Sequence, residues 1–132
     1  MLNIYVDGSS LGNPGKSGVG YLIYDDKGTL IKNAGVHIGI QTNNFAEYMA
    51  LIFPLIEIIS MGEKQCKVFS DSKLVCEQIK GNFKVKNQNI YPLFILAKNL
   101  ISKLDKFSIQ HIDRERNEEA DKLARKASGF LT

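Results

Sequence analysis

The segment from Asn44 to Met61 sets the tightest limit on the fold. Read as one helix, opened by Asn43 or Asn44 and stopped by Gly62, it is apolar nearly all round: Ala46, Met49, Leu51, Ile52, Phe53, Leu55, Ile56, Ile58 and Ile59. A helix without a polar face has to be buried between layers of structure. Its longest apolar run, Met49 to Ile56, is too short to cross a bilayer, and Pro54 interrupts it. That proline is expected to remove one hydrogen bond and to kink the helix near Ala50.

The flanking sequence supplies a sheet for this helix to pack on. Residues 2–7 (LNIYVD), 19–24 (VGYLIY) and 29–40 read as strands. A loop, SSLGNPGKSG, and a turn, Asp25 to Gly28, separate them, which suits an antiparallel meander. Residues 66–70 (CKVFS) read as a short buried strand. Asp71-Ser72 caps a helix over 72–80, ended by Gly81. A link over 82–88, a helix over 90–104 and a strand over 107–112 follow. Asn117 opens a last helix, with Glu118 and Glu119 early and Arg125 and Lys126 late, as the helix dipole favours.

This order implies an α/β fold with a mixed sheet and helices on its faces. Right-handed crossovers make the later strands parallel to the first. The C-terminal ends of the first and fourth strands then lie side by side, where such sheets place ligands. A length of 132 residues suits one domain over 1–132 with its own core.

Bulk chemistry adds a little. A net charge of +3 favours an anionic partner without specifying one. Cys66 and Cys76 read as buried thiols rather than a disulfide, and His37 and His111 are too far apart in sequence for a zinc site with them. Met1 to Tyr5 lacks a basic stretch followed by an apolar one, so a soluble cytoplasmic protein with no membrane contact is expected.

Four carboxylates stand at element ends: Asp7, Glu47, Asp71 and Asp121. Each has a local explanation. Asp7-Gly8 suits a turn, Glu47 a capping box with Asn44, Asp71 an N-cap, and Asp121 a pair with Arg125. The strand order nevertheless brings Asp7 and Asp71 to the same sheet edge. Carboxylates crowded there repel and take up protons unless cations hold them. Hard oxygen ligands suit Mg²⁺ or Mn²⁺, and a pair of such ions can activate water and stabilise the leaving oxygen of a phosphodiester.

YVDGSSLGNPGKSGVG (5–20), TNNFAEYMAL (42–51), FSDSKLV (69–75) and RERNEEADKLA (114–124) resemble, in order and spacing, the signature segments of ribonuclease H type 1. The resemblance implies a five-stranded mixed sheet, three antiparallel strands first and two parallel later, flanked by helices. It implies an endonuclease that cuts the RNA strand of an RNA–DNA hybrid with two Mg²⁺ ions (Mn²⁺ substituting), leaving 5′-phosphate and 3′-hydroxyl ends. Asp7, Glu47, Asp71 and Asp121 match the family's metal-binding acids.

The hybrid's wide minor groove displays ribose 2′-hydroxyls. The resemblance puts Gly12, Asn13, Asn43 and Asn44 there, with Gly15 and Gly18 allowing close backbone approach, and Thr42 at a DNA-strand phosphate. Ser72, Lys73, Arg114 and Asn117 are further candidate contacts, although Lys73 stands where many members have glutamine. Lys84 and Lys86 alternate with Phe83 and Val85, which puts both ammonium groups on one side of an extended stretch, available to the DNA backbone.

Two family features are absent. Only Gly81 to Asn89 joins the two middle helices, with no Trp in the chain, where longer members carry a basic insertion. The stretch Ile112 to Arg116 lacks the mobile histidine of many members, and His111 just before it reads as structural. These departures motivate an alternative, a hybrid-binding protein with little or no cleavage activity. A second nuclease substrate on the same fold is also open. A monomer is expected, since burial within one chain explains the apolar helix.

Overall fold

A computed structural model describes residues 1–129; the last three positions of the expected 1–132 domain lie outside the described residues. The elements are β1 (Leu2–Gly12), β2 (Gly15–Tyr24), β3 (Leu30–Gln41), α1 (Asn43–Ser60), β4 (Gln65–Ser70), α2 (Lys73–Lys80), α3 (Tyr91–Ile101), β5 (Lys106–His111) and α4 (Glu118–Ser128). A single 3₁₀ turn, Arg114–Asn117, leads into α4. The sheet order is β3-β2-β1-β4-β5. β1 pairs antiparallel with β2, and β2 with β3. β1 pairs parallel with β4, and β4 with β5. The mixed five-stranded sheet expected from the sequence is therefore present.

The stretch read as a loop, SSLGNPGKSG, is instead mostly strand. β1 runs on to Gly12 and β2 starts at Gly15, so only Asn13 and Pro14 turn the hairpin. Glycine and serine are poor strand formers alone. Here pairing overrides propensity, because β2 is bonded along both of its edges.

The helix starts also differ from expectation. Thr42, not Asn43 or Asn44, caps α1: its backbone is extended, and its hydroxyl accepts from the Phe45 N–H at 3.2 Å. Asn43 is already helical. Ser72, not Asp71, caps α2, accepting from the Val75 N–H at 3.3 Å. That leaves the Asp71 carboxylate free of capping duty. α1 continues through Pro54, which is buried within it.

α1 lies between the sheet and α3. Tyr48, Ala50, Leu51, Leu55 and Ile58 are fully buried in one cluster with Ile4, Val6, Val19, Ile23, Cys66 and Val68 of the sheet and Ala97 of α3. Ile56 stays half exposed, so the burial is extensive but not complete. Cys66 and Cys76 are both free and buried, and burial pushes their thiols up to about 12 and about 11. No helix among the described residues is long and apolar enough to cross a membrane.

The other face of the sheet carries α4. Val19, Tyr21 and Ile23 face α1, so the alternate residues of β2 face α4. There Gly20 removes any obstacle: a Cβ on it would sit 2.4 Å from the Ala120 carbonyl oxygen. Gly18 lies under the same helix, 2.4 Å from the Ser128 nitrogen by the same measure. Gly18 is thus buried beneath α4 and does not open a path for the hybrid.

Candidate active site

Strand register brings the first two acids together. Val6 pairs with Ser70, the last residue of β4. Asp7 and Asp71 are the next residue on each chain, so both step past the end of the parallel ladder at one edge. Asp7 does not end its strand, as the sequence suggested. It sits mid-strand, where its partner β4 stops and β1 continues alongside β2.

Gly8 brings in the third. A Cβ there would lie 2.4 Å from the Ala46 carbonyl carbon and 2.5 Å from the Glu47 nitrogen, so only glycine lets the first turn of α1 rest on β1. The Gly8 N–H then donates to Glu47 Oε1 at 3.0 Å. Glu47 serves this bond rather than a capping box with Asn44.

Asp121 arrives through a second close approach. Gly20 stands opposite Asp7 in the β1–β2 register, and Ala120 rests on Gly20. The residue after Ala120 is therefore delivered to the same cleft as Asp7. The helical pair expected for Asp121 forms as well: Arg125 Nε donates to Oδ1 at 3.1 Å and Nη2 lies 2.9 Å from Oδ2.

One carboxylate oxygen each from Asp7, Glu47 and Asp71 lie within 4.8 Å of one another. Asp7 is only 5% exposed. Burial first, then the Glu47 and Asp71 charges, push its carboxyl far above the usual aspartate range. Burial first, then Asp71, raises Glu47 too, against the pull of the Gly8 N–H. A hard dication answers this strain directly, since it supplies positive charge to three convergent oxygen donors. The donor set fits Mg²⁺ or Mn²⁺ and offers no soft ligand.

The acids line a cleft of about 400 Å³. Of the other residues singled out in the sequence, Asn43, Ser72 and Arg114 line it as well. Ser9, Ser10 and Arg125 also line it and were not singled out as contacts. Strand alternation puts Ser9 on the same face as Asp7, but reading residues 9–18 as a loop hid that.

The remaining candidates stand outside the cleft lining. Asn13 and Thr42 build its approach: Asn13 Oδ1 accepts from the Asn43 N–H at 3.0 Å, tying the hairpin tip to the start of α1. Gly12 shapes that tip. Asn44 lies in the first turn of α1. Lys73, Lys84 and Lys86 are exposed, and the latter two lie in a connector without regular structure. Asn117 is 2% exposed, packed inside rather than facing the cleft.

The family model described as "Reverse transcriptase-like" matches residues 5–127. A ribonuclease HI of Helicobacter pylori is 32% identical over 136 residues, covering 94% of this chain and 90% of that protein. The chain belongs to the ribonuclease H type 1 family. LC11-RNase H1, solved in complex with an RNA/DNA hybrid, shares the fold with a TM-score of 0.93 at 33% identity, covering 98% of each chain. A bifunctional protein of Mycobacterium tuberculosis is 38% identical over 125 residues, covering 94% of this chain. The chain spans about a third of that relative's length, 34%. Family membership accounts for the sheet order and for the meeting of Asp7, Glu47 and Asp71, which the sequence segments carrying the resemblance contain.

Proposed function

We propose that this chain hydrolyses the RNA strand of RNA–DNA hybrids, leaving 5′-phosphate and 3′-hydroxyl ends. The convergence of the Asp7, Glu47 and Asp71 oxygens within 4.8 Å carries this reading. A protein that only binds a polyanion gains nothing from carboxylates crowded where phosphate must sit. The family relatives named ribonuclease HI, and the relative solved with a hybrid, support the substrate class.

Asp7, Glu47, Asp71 and Asp121 would hold two Mg²⁺ or Mn²⁺ ions. When bound, such ions supply positive charge to the attacked phosphate and to the departing 3′ oxygen. Water adds to phosphorus and gives up a proton, the P–O3′ bond breaks, and the leaving 3′ oxygen takes a proton.

The chain's own side chains do the rest. Arg125 holds Asp121 at the cleft wall. Asn43, Ser72 and Arg114 offer donors along the cleft to a phosphate or a 2′-hydroxyl. Gly12, Asn13, Thr42 and Asn44 present the neighbouring ridge to the minor groove. Lys73, Lys84 and Lys86 add sequence-independent contacts to the DNA strand. Every group required comes from one chain, so a monomer suffices. A cytoplasmic setting is part of the same proposal.

The test is a panel of labelled substrates: hybrid, single-stranded RNA, double-stranded RNA and duplex DNA, each with Mg²⁺, Mn²⁺ or chelator. Metal-dependent cutting of hybrid RNA alone, lost in Asp71→Asn, is the expected result. Binding of hybrid with no cutting in either metal would overturn the nuclease assignment, and cutting of DNA would overturn the substrate.

A further inference from the structure

Asn117 occupies the N-cap position of α4 and does not cap it. An asparagine there ordinarily spends its side-chain oxygen on the first free N–H groups of its helix. This one is turned into the protein instead. Its Nδ2 donates to the Val6 carbonyl at 2.8 Å and reaches Asp71 Oδ2 at 3.4 Å. A primary amide carries two hydrogens, so one nitrogen can serve both acceptors. Val6 is the residue before Asp7. A single buried amide therefore joins the backbone that carries one acid to the carboxylate of another.

The cost of this arrangement is visible. Asn117 Oδ1 is buried and has no hydrogen-bond partner among the described residues. A buried acceptor without a partner is unfavourable. The side chain gives up capping and leaves its oxygen unpaired, so the bonds it makes are those of its nitrogen.

The position in the chain extends the effect. Asp121 follows Asn117 by four residues and lies in the first turns of α4, whose N-cap position Asn117 occupies. The bond to Val6 thus fixes the start of α4 against β1, and Asp121 is carried to Asp7 from that anchor. Asn117 contacts the Asp71 carboxylate and the backbone just before Asp7, and stands at the start of the helix that carries Asp121, while lying outside the cleft lining at 2% exposure.

We infer that Asn117 is a positioning residue that sets the Asp7, Asp71 and Asp121 carboxylates in register for cation binding, and is not a contact to the nucleic acid. This rests on the reading of the cleft as a metal-dependent nuclease site. Groups behind metal ligands typically change metal affinity or activity by about 10–100-fold when removed.

The experiment compares wild type with Asn117→Ala and Asn117→Ser. Mn²⁺ is titrated into the free protein by calorimetry, and kcat and KM are measured on a hybrid. Positioning predicts a Kd for Mn²⁺ weaker by about 10-fold or more, a fall in kcat of similar size, and a KM within about twofold of wild type, because a group acting only through the reaction centre leaves uniform binding alone. A raised KM with unchanged Mn²⁺ affinity and kcat would make Asn117 a substrate contact and overturn the inference.

Should both variants fail to fold, the wild-type protein decides by NMR. The Asn117 side-chain NH₂ is expected to be slow to exchange and to shift on addition of Mg²⁺ without nucleic acid. Fast exchange, or no response to Mg²⁺ that demonstrably binds, overturns the positioning role and leaves the nuclease reading standing. A wild type with no affinity for either ion overturns the nuclease reading itself, and the cation-binding purpose of Asn117 with it.

Discussion

Two regions meet within the first turns of α1, and their physics is opposite. Tyr48, Ala50 and Leu51 are fully buried among apolar side chains. Glu47, one residue before Tyr48, reaches the cleft with Asp7 and Asp71. On the core side each buried side chain adds stability; on the cleft side each ionised carboxylate removes it. The strain in the cleft is tolerable because the same helix is anchored by the core, where burying a leucine contributes about 1.5–3 kcal/mol. The acidic cleft is in this sense a local defect supported by its surroundings.

The contrast is broken most sharply by removing charge without shape. Glu47→Gln keeps an oxygen for the Gly8 N–H, so the fold should persist. Cleavage of hybrid should fall by about 10³-fold, the scale on which one electrostatic group at a reaction centre acts. Single-turnover assays alongside circular dichroism check this. An active Glu47→Gln would mean the cleft charge is not used.

The core side gives the opposite result. Leu51→Ala should lower unfolding free energy by about 2–5 kcal/mol in urea denaturation. Cleavage per folded molecule, measured well below the melting transition, should be nearly unchanged. A large loss of activity in the folded variant would show that the two regions are not separable.

Gly20→Ala tests the joint between them. Its Cβ would meet the Ala120 carbonyl oxygen at 2.4 Å, and backbone cannot yield as a flexible side chain can. A loss of about 1–3 kcal/mol from overpacking is expected. The shift of α4 should also weaken activity, since Asp121 rides on that contact. Retained activity with lost stability would detach Asp121 from the reaction.

The smallest effect concerns the acids without metal. Asp7 and Glu47 both hold protons more tightly in the folded protein than in the unfolded chain, Glu47 to about 7. These two acids should therefore contribute a loss of stability in the metal-free protein as pH rises from about 4 towards about 7, where the unfolded chain has released protons that the folded one retains. Asp7→Asn should raise metal-free stability at neutral pH by roughly 1 kcal/mol and flatten that slope. Millimolar Mg²⁺ should stabilise wild type at pH 7 and leave the variant less affected. Thermal melts across pH with and without chelator would show it, and a wild type that gains stability on going from pH 4 to pH 7 without metal would contradict it.

Much of the molecule was legible in the chain. The all-round apolar pattern of residues 44–61 demanded burial between layers, and α1 is sandwiched by the sheet and α3. The order of elements implied parallel later strands, and hence Asp7 beside Asp71. These are consequences of periodicity and chain connectivity, which sequence carries directly. The hairpin at 9–18 was not legible, because glycine and serine look like loop formers until strands on both sides pair with them. Nor was the helix cap at Thr42, and the Asp71-Ser72 pair marked the cap of α2 without deciding between its two residues, because that depends on which backbone is still extended.

Sequence alone determined the materials: a helix that had to be buried, four candidate acids, and an order of strands that puts two of them at one edge. Tertiary structure decided which carboxylates meet, because Gly8 and Gly20 matter only once a helix lies against them, at approaches no local pattern encodes. It also decided that Asn117 faces inward. A side chain's partner across 111 residues of chain is set by packing, and packing is a property of the whole fold.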